Sequence, residues 1–322
     1  NRDFRDGSTS SPQGASKREE TAQGFMLNVQ SGYTQGTVGF GLDALGMLGL
    51  KLDSSPADSN SGLLPSTGSD PRRSKDQYAK IGVTAKMRIS DTVLKYGALL
   101  PDLPLLKYND GRLLPNMFNG AMLVSKDVND LTIMASRLNR YTARDSTDPQ
   151  DLRLNCKNKR YGCNITADHF NMYGLDYKVN ERLTAQYHYA ELQDIYRQQF
   201  VGLLANQPIG PGVLSADVRL LKSDDTGSAK ASTIDNRALG AMLGYSLGGH
   251  KVSAGWQRMN GDTSMPYLDG SNPYLVNYLQ VNDFANAQER SWQLRYDYDF
   301  KAMGLNGWSF MTRYVNGDNI KV

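Results

Sequence analysis

The stretch GTVGFGLDALGMLGLKLD, residues 36–53, alternates with a period of two along its whole length. Val38, Phe40, Leu42, Ala44, Gly46, Leu48, Leu50 and Leu52 fall on one face; Gly39, Gly41, Asp43, Leu45, Met47, Gly49, Lys51 and Asp53 fall on the other. Side chains of a β-strand point alternately to its two faces, so the pattern specifies a strand with one apolar face. It is far longer than the five or six residues, roughly, of an ordinary soluble strand. YAKIGVTAKMRIS repeats it, with Ile81, Val83, Ala85, Met87 and Ile89 opposite Lys80, Gly82, Thr84, Lys86 and Arg88. RLTAQYHYAEL sets Leu183, Ala185, Tyr187 and Tyr189 against Thr184, Gln186 and His188. RSWQLRYDYDF sets Trp292, Leu294, Tyr296, Tyr298 and Phe300 against Gln293, Arg295, Asp297 and Asp299.

Strands of this kind suit a large sandwich with a solvated polar face. They suit equally a membrane barrel, whose apolar face meets lipid while its polar face lines water. No run of the chain approaches the roughly 18–20 apolar residues of a membrane helix. The mean hydropathy of −0.52 is compatible with a barrel, because alternating strands average out as hydrophilic. The 31 Gly and 18 Tyr suit β-structure, and a net charge of +3 on 322 residues says little about partners.

The connections decide between the two. Short ones at 90–91, 126–130, 178–181 and 247–251 alternate with long polar ones near 5–20, 54–75, 100–118, 142–166, 223–235 and 260–288. Short turns at one end of the strands and long loops at the other are the bacterial barrel pattern. Tyr177, Trp256, Tyr298 and Trp308 near strand ends fit interfacial girdles. The expected fold is therefore an all-β transmembrane antiparallel barrel, a single domain over residues 1–322, with short periplasmic turns and long extracellular loops. Strands are predicted near 22–33, 36–53, 77–90, 92–99, 119–126, 131–141, 167–177, 182–193, 196–204, 213–222, 237–247, 251–259, 289–300 and 307–316, with residues 1–4 ending an earlier strand. Both ends read as cut: the chain opens abruptly on NRDFRDG and stops at a strand and its exit, FMTRYVNGDNIKV.

Cys156 and Cys163, in NCKNKRYGCN, are the two cysteines of the chain. With no second pair and only His169 nearby, they lack a zinc pattern, and a disulfide in an exported loop is expected. No cofactor or metal is expected. Gly-x-Ser-x-Gly, a phosphate loop and His-Glu-x-x-His are all missing from the sequence, and its three His are scattered at 169, 188 and 250, so enzyme chemistry is not expected. Basic residues are dispersed along strands, with Arg72–Arg73 the one notable pair, which argues against nucleic-acid binding.

Long motifs resemble the OprD-type (substrate-specific, Occ) outer-membrane porins of pseudomonads. They are NRDFRDG; QSGYTQGTVGFGLDALGMLGLKLD; LKYGALLPDLPLLKYNDGRLLPNMFNG; YAELQDIYRQQF; PYLDGSNPYLVNYLQVNDFANAQERSWQLRYDYDF; and FMTRYVNGD. They spread over almost the whole chain in the family's order, and DGRLLP with NCKNKRYGC is more like the OccK-type branch. The resemblance implies an 18-stranded barrel, truncated here at both ends, in the outer membrane of a Gram-negative bacterium. It implies passive uptake of small carboxylate solutes, benzoate-like cyclic acids or amino acids. The implied partners are those solutes, the lipid bilayer and lipopolysaccharide, with the protein a monomer or loose trimer. The rival readings are an adhesion or structural barrel with a plugged lumen and a soluble all-β binding protein.

Selectivity in a water-filled tube needs fixed charges on its wall. Strand phase alone assigns a ladder of cations to the lumen: Lys80, Lys86, Arg88, Lys95, Arg219, Arg295 and Arg313; Arg137 and Arg140 show no clean phase. The Pro-rich, apolar segment 100–118 reads as an inward-folded constriction loop whose leucines pack on the wall. Lys107, Tyr108 and Arg112 of that loop meet the solute, and Asp110 fixes Arg112. By resemblance, the loop 260–288 also folds toward the pore. Ser271 and Asp283 on it, with Asp297 on the neighbouring strand, form a polar and acidic wall opposite the ladder.

Overall fold

The computed structural model describes residues 2–5, 17–56, 58–68 and 73–321. Most of the connection expected near 5–20, and Arg72 of the Arg72–Arg73 pair, lie outside the described residues. In chain order the strands are β1 (Arg2–Arg5), β2 (Lys17–Gln30), β3 (Val38–Asp53), β4 (Ser66–Thr67), β5 (Arg73–Ser74), β6 (Gln77–Ile89) and β7 (Thr92–Leu99). Then come β8 (Asp102–Leu103), β9 (Leu106–Lys107), β10 (Met117–Val128), β11 (Leu131–Thr142), β12 (Gln150–Arg153), β13 (Thr166–Ala167) and β14 (Phe170–Asn180). The last are β15 (Leu183–Leu192), β16 (Tyr196–Ile209), β17 (Gly212–Asp225), β18 (Asp235–Leu247), β19 (His250–Asn260), β20 (Arg290–Asp299) and β21 (Ser309–Asp318). Among the described residues the helical content is two single 3₁₀ turns, at Lys157–Lys159 and Phe300–Met303.

The chain forms two compact units: Asn1–Asp102 with Tyr108–Met122 and Leu138–Leu152, and Leu103–Lys107 with Leu123–Arg137 and Arg153–Val322. In the first, β2, β3, β6 and β7 form an antiparallel ladder. Its register puts Phe25 beside Leu48 and Gly46 beside Ile81, so the apolar side chains share a face. Ile81 on that face is 80% exposed and its neighbour Lys80 only 1%. An exposed apolar face backed by a covered polar one inverts the soluble arrangement and is the signature of a sheet facing lipid.

In the second unit, β14 to β21 form a meander of eight strands, each antiparallel to the next. Val201, Leu203, Leu220, Leu243, Val252, Trp256, Trp292 and Leu294 are exposed on one face. Gln198, Ser223, Asn236, Ser253, Gln257, Ser291 and Gln293 are buried on the other.

Strand positions follow the sequence periodicity closely, with two kinds of difference. β10 and β16 are longer than the predicted 119–126 and 196–204. ANQPI at 205–209 carries no alternation, but β17 keeps pairing with it as far as Pro208↔Val213 and Ile209↔Gly212, so tertiary pairing extends the strand. The short β4, β5, β8, β9, β12 and β13 lie within long connections and are too brief to show a period.

The polar face of the first unit is covered by its own loops. Leu114, with Leu113 and Leu100 beside it, packs against Met47, Leu64, Tyr78 and Met117. Gly24 allows this approach, since a Cβ there would lie 3.0 Å from the Leu113 carbonyl oxygen. Segment 108–116 also clasps itself: the Asn109 amide donates to Asn116 Oδ1 at 2.6 Å, and the Asn116 amide donates to the Asn109 carbonyl at 3.3 Å. Loop 54–76 is tied down by Glu20, buried on β2, whose carboxylate accepts from the Ser61 amide at 3.0 Å and from the Ser61 and Ser74 hydroxyls. Leu114→Ala removes the central side chain of this cluster at a cost of roughly 2–5 kcal/mol. Amide exchange of 108–116 should then accelerate by about tenfold or more, while exchange of β3 and β6 stays unchanged, as read by hydrogen–deuterium exchange mass spectrometry.

Candidate functional site

Strand phase decides which charges reach the polar face, and loop packing decides which of those remain available. On β6, Lys80 is fully buried. Its ammonium donates to the carbonyls of Pro115 (2.9 Å), Ala143 (2.7 Å) and Arg144 (3.0 Å). It lies on the face the periodicity assigns it, but it braces two loops from there and presents no free charge. Lys86, two residues per step further along, donates to the Ser31 carbonyl at 2.6 Å and pairs with Asp43 at 2.5 Å. Tyr33, in the turn 31–37, sets its ring 4.9 Å from the Lys86 ammonium and 4.6 Å from the Arg88 guanidinium. Lys95 on β7 is the direct cross-strand neighbour of Lys86. Like charges directly opposed in a sheet repel, and Asp43 offsets only one of the two.

In the second unit, Arg219 on β17 forks onto Asp217 (2.5 and 2.9 Å), donates to the Tyr274 carbonyl at 2.9 Å and lies 4.0 Å from the centre of the Tyr274 ring. Arg295 on β20 forks onto Asp297 (2.7 and 2.8 Å) and is paired in register with Arg313 on β21. Arg313 is exposed. Asp297, expected with Ser271 and Asp283 on an acidic wall, is thus the ion partner of Arg295 on its own strand.

The long connection 261–289 lies on the polar face of β16, β19 and β20, stitched there by side-chain amides. Gln198 donates to the Pro266 carbonyl (3.2 Å), Gln257 to that of Phe284 (2.8 Å) and Gln293 to that of Val276 (2.8 Å). Asn277 returns bonds to Gln257 and Ser291 at 3.1 and 2.8 Å. At Gly240 a Cβ would come 2.8 Å from the Val276 side chain, so glycine lets the loop sit directly on the sheet. Lys107 joins this loop through a bridge with Asn272, whose amide donates to the Lys107 carbonyl at 2.9 Å.

Two residues expected on an acidic wall do other work. Ser271 is buried, and its hydroxyl donates to the Leu268 carbonyl at 2.6 Å, closing its own turn. Asp283 is fully buried; Arg160 grips both carboxylate oxygens at 2.6 and 2.5 Å, and Tyr267 donates to it at 2.6 Å. A buried carboxylate needs compensation of this kind, so its charge is cancelled inside the protein. Burial would raise the Asp283 carboxyl. The Arg160 fork, the charge of Lys157 and the Tyr267 hydroxyl outweigh burial and hold it below its ordinary 3.8. Burial pushes the Tyr161 phenol up to about 12.

Arg160 sits in the ring closed by Cys156 and Cys163, whose Cα atoms are 5.0 Å apart. Its partner lies 123 residues away, and only the run of basic residues between two cysteines hinted at it. Arg144, which donates to Asn109 Oδ1 at 3.1 Å, Tyr33 and Tyr274 are further contributors that carry no local sequence signal. In the Pro-rich segment, Arg112 donates to the Gly62 carbonyl at 2.7 Å and approaches Asp145 at 3.8 Å. Those long-range partners replace the local Asp110 expected from the sequence; Asp110 itself is exposed, and Tyr108 and Lys107 are half-buried. Arg140 pairs with Asp151, and Arg137 is exposed on the strand face opposite Met134, Ser136 and Leu138.

An all-β fold with a large antiparallel sheet, lipid-type outer face and loops folded onto a charged inner face is that of a porin of the Gram-negative outer membrane, a channel and not an enzyme. The sequence model described as "outer membrane porin, OprD family" matches residues 1–322. The chain belongs to the OprD family. It is 35% identical to the porin-like protein GalP of Pseudomonas putida over 306 residues, 94% of this chain and 73% of that protein. Among solved structures it is similar to OccK5 (OpdH) of Pseudomonas aeruginosa, with 55% identity and a TM-score of 0.84 over 95% of this chain and 78% of that one. It is also similar to Pseudomonas aeruginosa OpdK, solved with vanillate, with 40% identity and a TM-score of 0.86 over 94% of this chain and 78% of that one.

Because the Asp283 carboxyl is depressed, the pair contributes stability above the ordinary value of 3.8, and that stability is lost as pH falls through the lower folded value. Proteolysis of 261–289 should therefore be flat from neutral pH down to about 4 and rise only below it. Asp283→Asn strands the Arg160 charge at a cost of roughly 3–5 kcal/mol, and should make the loop cleavable across the whole range.

Proposed function

We propose that the chain forms a substrate-selective channel for passive uptake of small carboxylate-containing solutes, benzoate-like cyclic acids or amino acids, along lumenal lysines and arginines. The observation that carries the reading is the two like-charge pairs set in register across neighbouring strands, Lys86 opposite Lys95 and Arg295 opposite Arg313. In each pair one cation has its own carboxylate, Asp43 or Asp297, and the second has no acidic partner among the described residues. Such pairs carry a repulsive cost, which a passing carboxylate relieves.

Arg88, Lys95 and Arg313 are the sites most ready to take an anion; Lys86, Arg219 and Arg295 hold theirs through a neighbouring acid, so each binds weakly. Weak sites in series let an anion hop without being trapped. Arginine also offers a planar, two-pronged match to a carboxylate. Lys80 serves as a brace for the constriction formed by 100–118, where Lys107, Tyr108 and Arg112 lie. The vanillate in the OpdK neighbour, itself a small aromatic carboxylate, supports the substrate class.

Arg313→Glu should lower the anion-to-cation permeability ratio, read from reversal potentials in planar bilayers, by roughly three- to tenfold, since it changes two unit charges beside the path. An unchanged ratio would remove Arg313 from the lumen. Liposomes should swell faster in benzoate than in a neutral sugar of similar size, and equal rates would defeat carboxylate selectivity.

A further inference from the structure

We propose that the bridge between Cys156 and Cys163 is a site of thiol–disulfide exchange, at which a small-molecule dithiol cuts the link and frees one end of the loop 261–289 from the ring 156–163. The proposal goes beyond solute uptake and rests on the packing of two loops within the second unit. The ring lies between β12 and β13 and belongs to no strand. The Cα atoms of its two cysteines are 5.0 Å apart. Inside it, a 3₁₀ turn spans Lys157–Lys159 and the Arg160 amide donates to the Lys157 carbonyl at 3.3 Å. With no strand ladder to fix this stretch, the bridge is what narrows the conformations open to it.

Arg160, Lys157 and Tyr161 of the ring hold the loop. Arg160 forks onto Asp283 at 2.6 and 2.5 Å, and its Nε donates to Asn286 Oδ1 at 2.8 Å. Lys157 Nζ donates to the Val281 carbonyl at 3.1 Å, and the Tyr161 hydroxyl donates to the Ser264 carbonyl. The Arg160 side chain is 4% exposed and that of Asp283 fully buried. Holding a long side chain in one place costs conformational entropy, and the closed ring lowers that cost for Arg160. Without the guanidinium, Asp283 would be a buried charge with one hydroxyl for company, which is strongly unfavourable. The 280–287 end of the loop would then open to water. Elsewhere the loop has anchors outside the ring. The Asn155 amide donates to the Tyr267 carbonyl at 3.0 Å, Arg153 pairs with Asp269, and Gln257 and Gln293 hold Asn277 and Val276 to the sheet. Cutting the bridge therefore loosens one end and not the whole loop.

The bridge is placed for exchange. Cys163 is exposed, as are Gly162 and Asn164 beside it, while Cys156 is half-buried, so an attacking thiolate approaches at Cys163. The residues between the cysteines, KNKRYG, carry three cations. Cations beside a cysteine favour its thiolate, and a stabilised thiolate leaves more readily. In the first step a thiolate of the dithiol attacks the Cys163 sulfur. The S–S bond breaks, and Cys156 leaves with the electron pair and takes up a proton. The second thiol of the reductant, as its thiolate, then attacks the mixed disulfide and releases the Cys163 thiolate, which is protonated in turn. The reductant departs as its cyclic disulfide, having supplied two electrons and two protons.

The test compares hydrogen–deuterium exchange of the folded protein in detergent with and without dithiothreitol, with thiol alkylation of an aliquot to show that the bridge is cut. Reduction should accelerate exchange of 280–287 about tenfold or more and leave 275–278 and β19 unchanged. The variant Cys156→Ser/Cys163→Ser should exchange like the reduced wild type and should not respond to dithiothreitol, which separates the bridge from any other action of the reductant. Three results would overturn the proposal: a bridge that resists dithiothreitol in the folded protein, equal protection of 280–287 before and after its cleavage, or equal acceleration of 275–278 and β19, which marks general loosening. None of these readouts uses solute passage, so failure here is distinct from failure of the uptake reading.

Discussion

Inside hydrocarbon a backbone amide has no water to turn to, so each must find its partner on a neighbouring strand. That requirement makes the strands long, forces them to pair consecutively, and leaves side-chain phase as the one variable the sequence can set freely. Phase then fixes two chemistries at once. Sliding β6 by one residue against β3 would turn Lys80 and Lys86 into lipid and Ile81 and Val83 inward. The outer and inner surfaces are therefore specified by a single register, and neither can drift without wrecking the other.

What phase cannot decide is how far a charge on the inner face remains available. Lys80, Arg160 and Arg112 each lock a loop to the wall or to another loop, through carbonyls or a buried carboxylate. Lys86, Arg219 and Arg295 each keep an acidic neighbour. Arg88, Lys95 and Arg313 keep the least company. Within each unit the cations thus divide into braces, half-neutralised sites and open sites, according to how many loop carbonyls and acids lie within reach.

The strands were legible because their alternation is long and unbroken, and the two cysteines because they are close in sequence. The faces of Lys86, Arg219, Arg295 and Arg313 followed from the same alternation. The roles of Asp283 and Ser271 did not, since they depend on a partner 123 residues away and on a turn with no periodic mark. The Arg112 partner was misread for the same reason: Asp110 is near in sequence, while Gly62 is near in space. Period two reports which side a residue takes. It carries no information about which loop will come to lie on top of it.

The loops are docked by side chains and by glycines such as Gly24 and Gly240, which leave a flat place to land, and not by the strand ladder itself. A docked loop can therefore be exchanged as a cassette while the wall's pairing stays intact. A loop that arrives with leucines of matching spacing and a carbonyl for Lys80 would be accepted, and one lacking them would swing free. Which loop can be docked then becomes a question of landing sites, and glycines on the polar face such as Gly24 and Gly240 mark where a loop can settle.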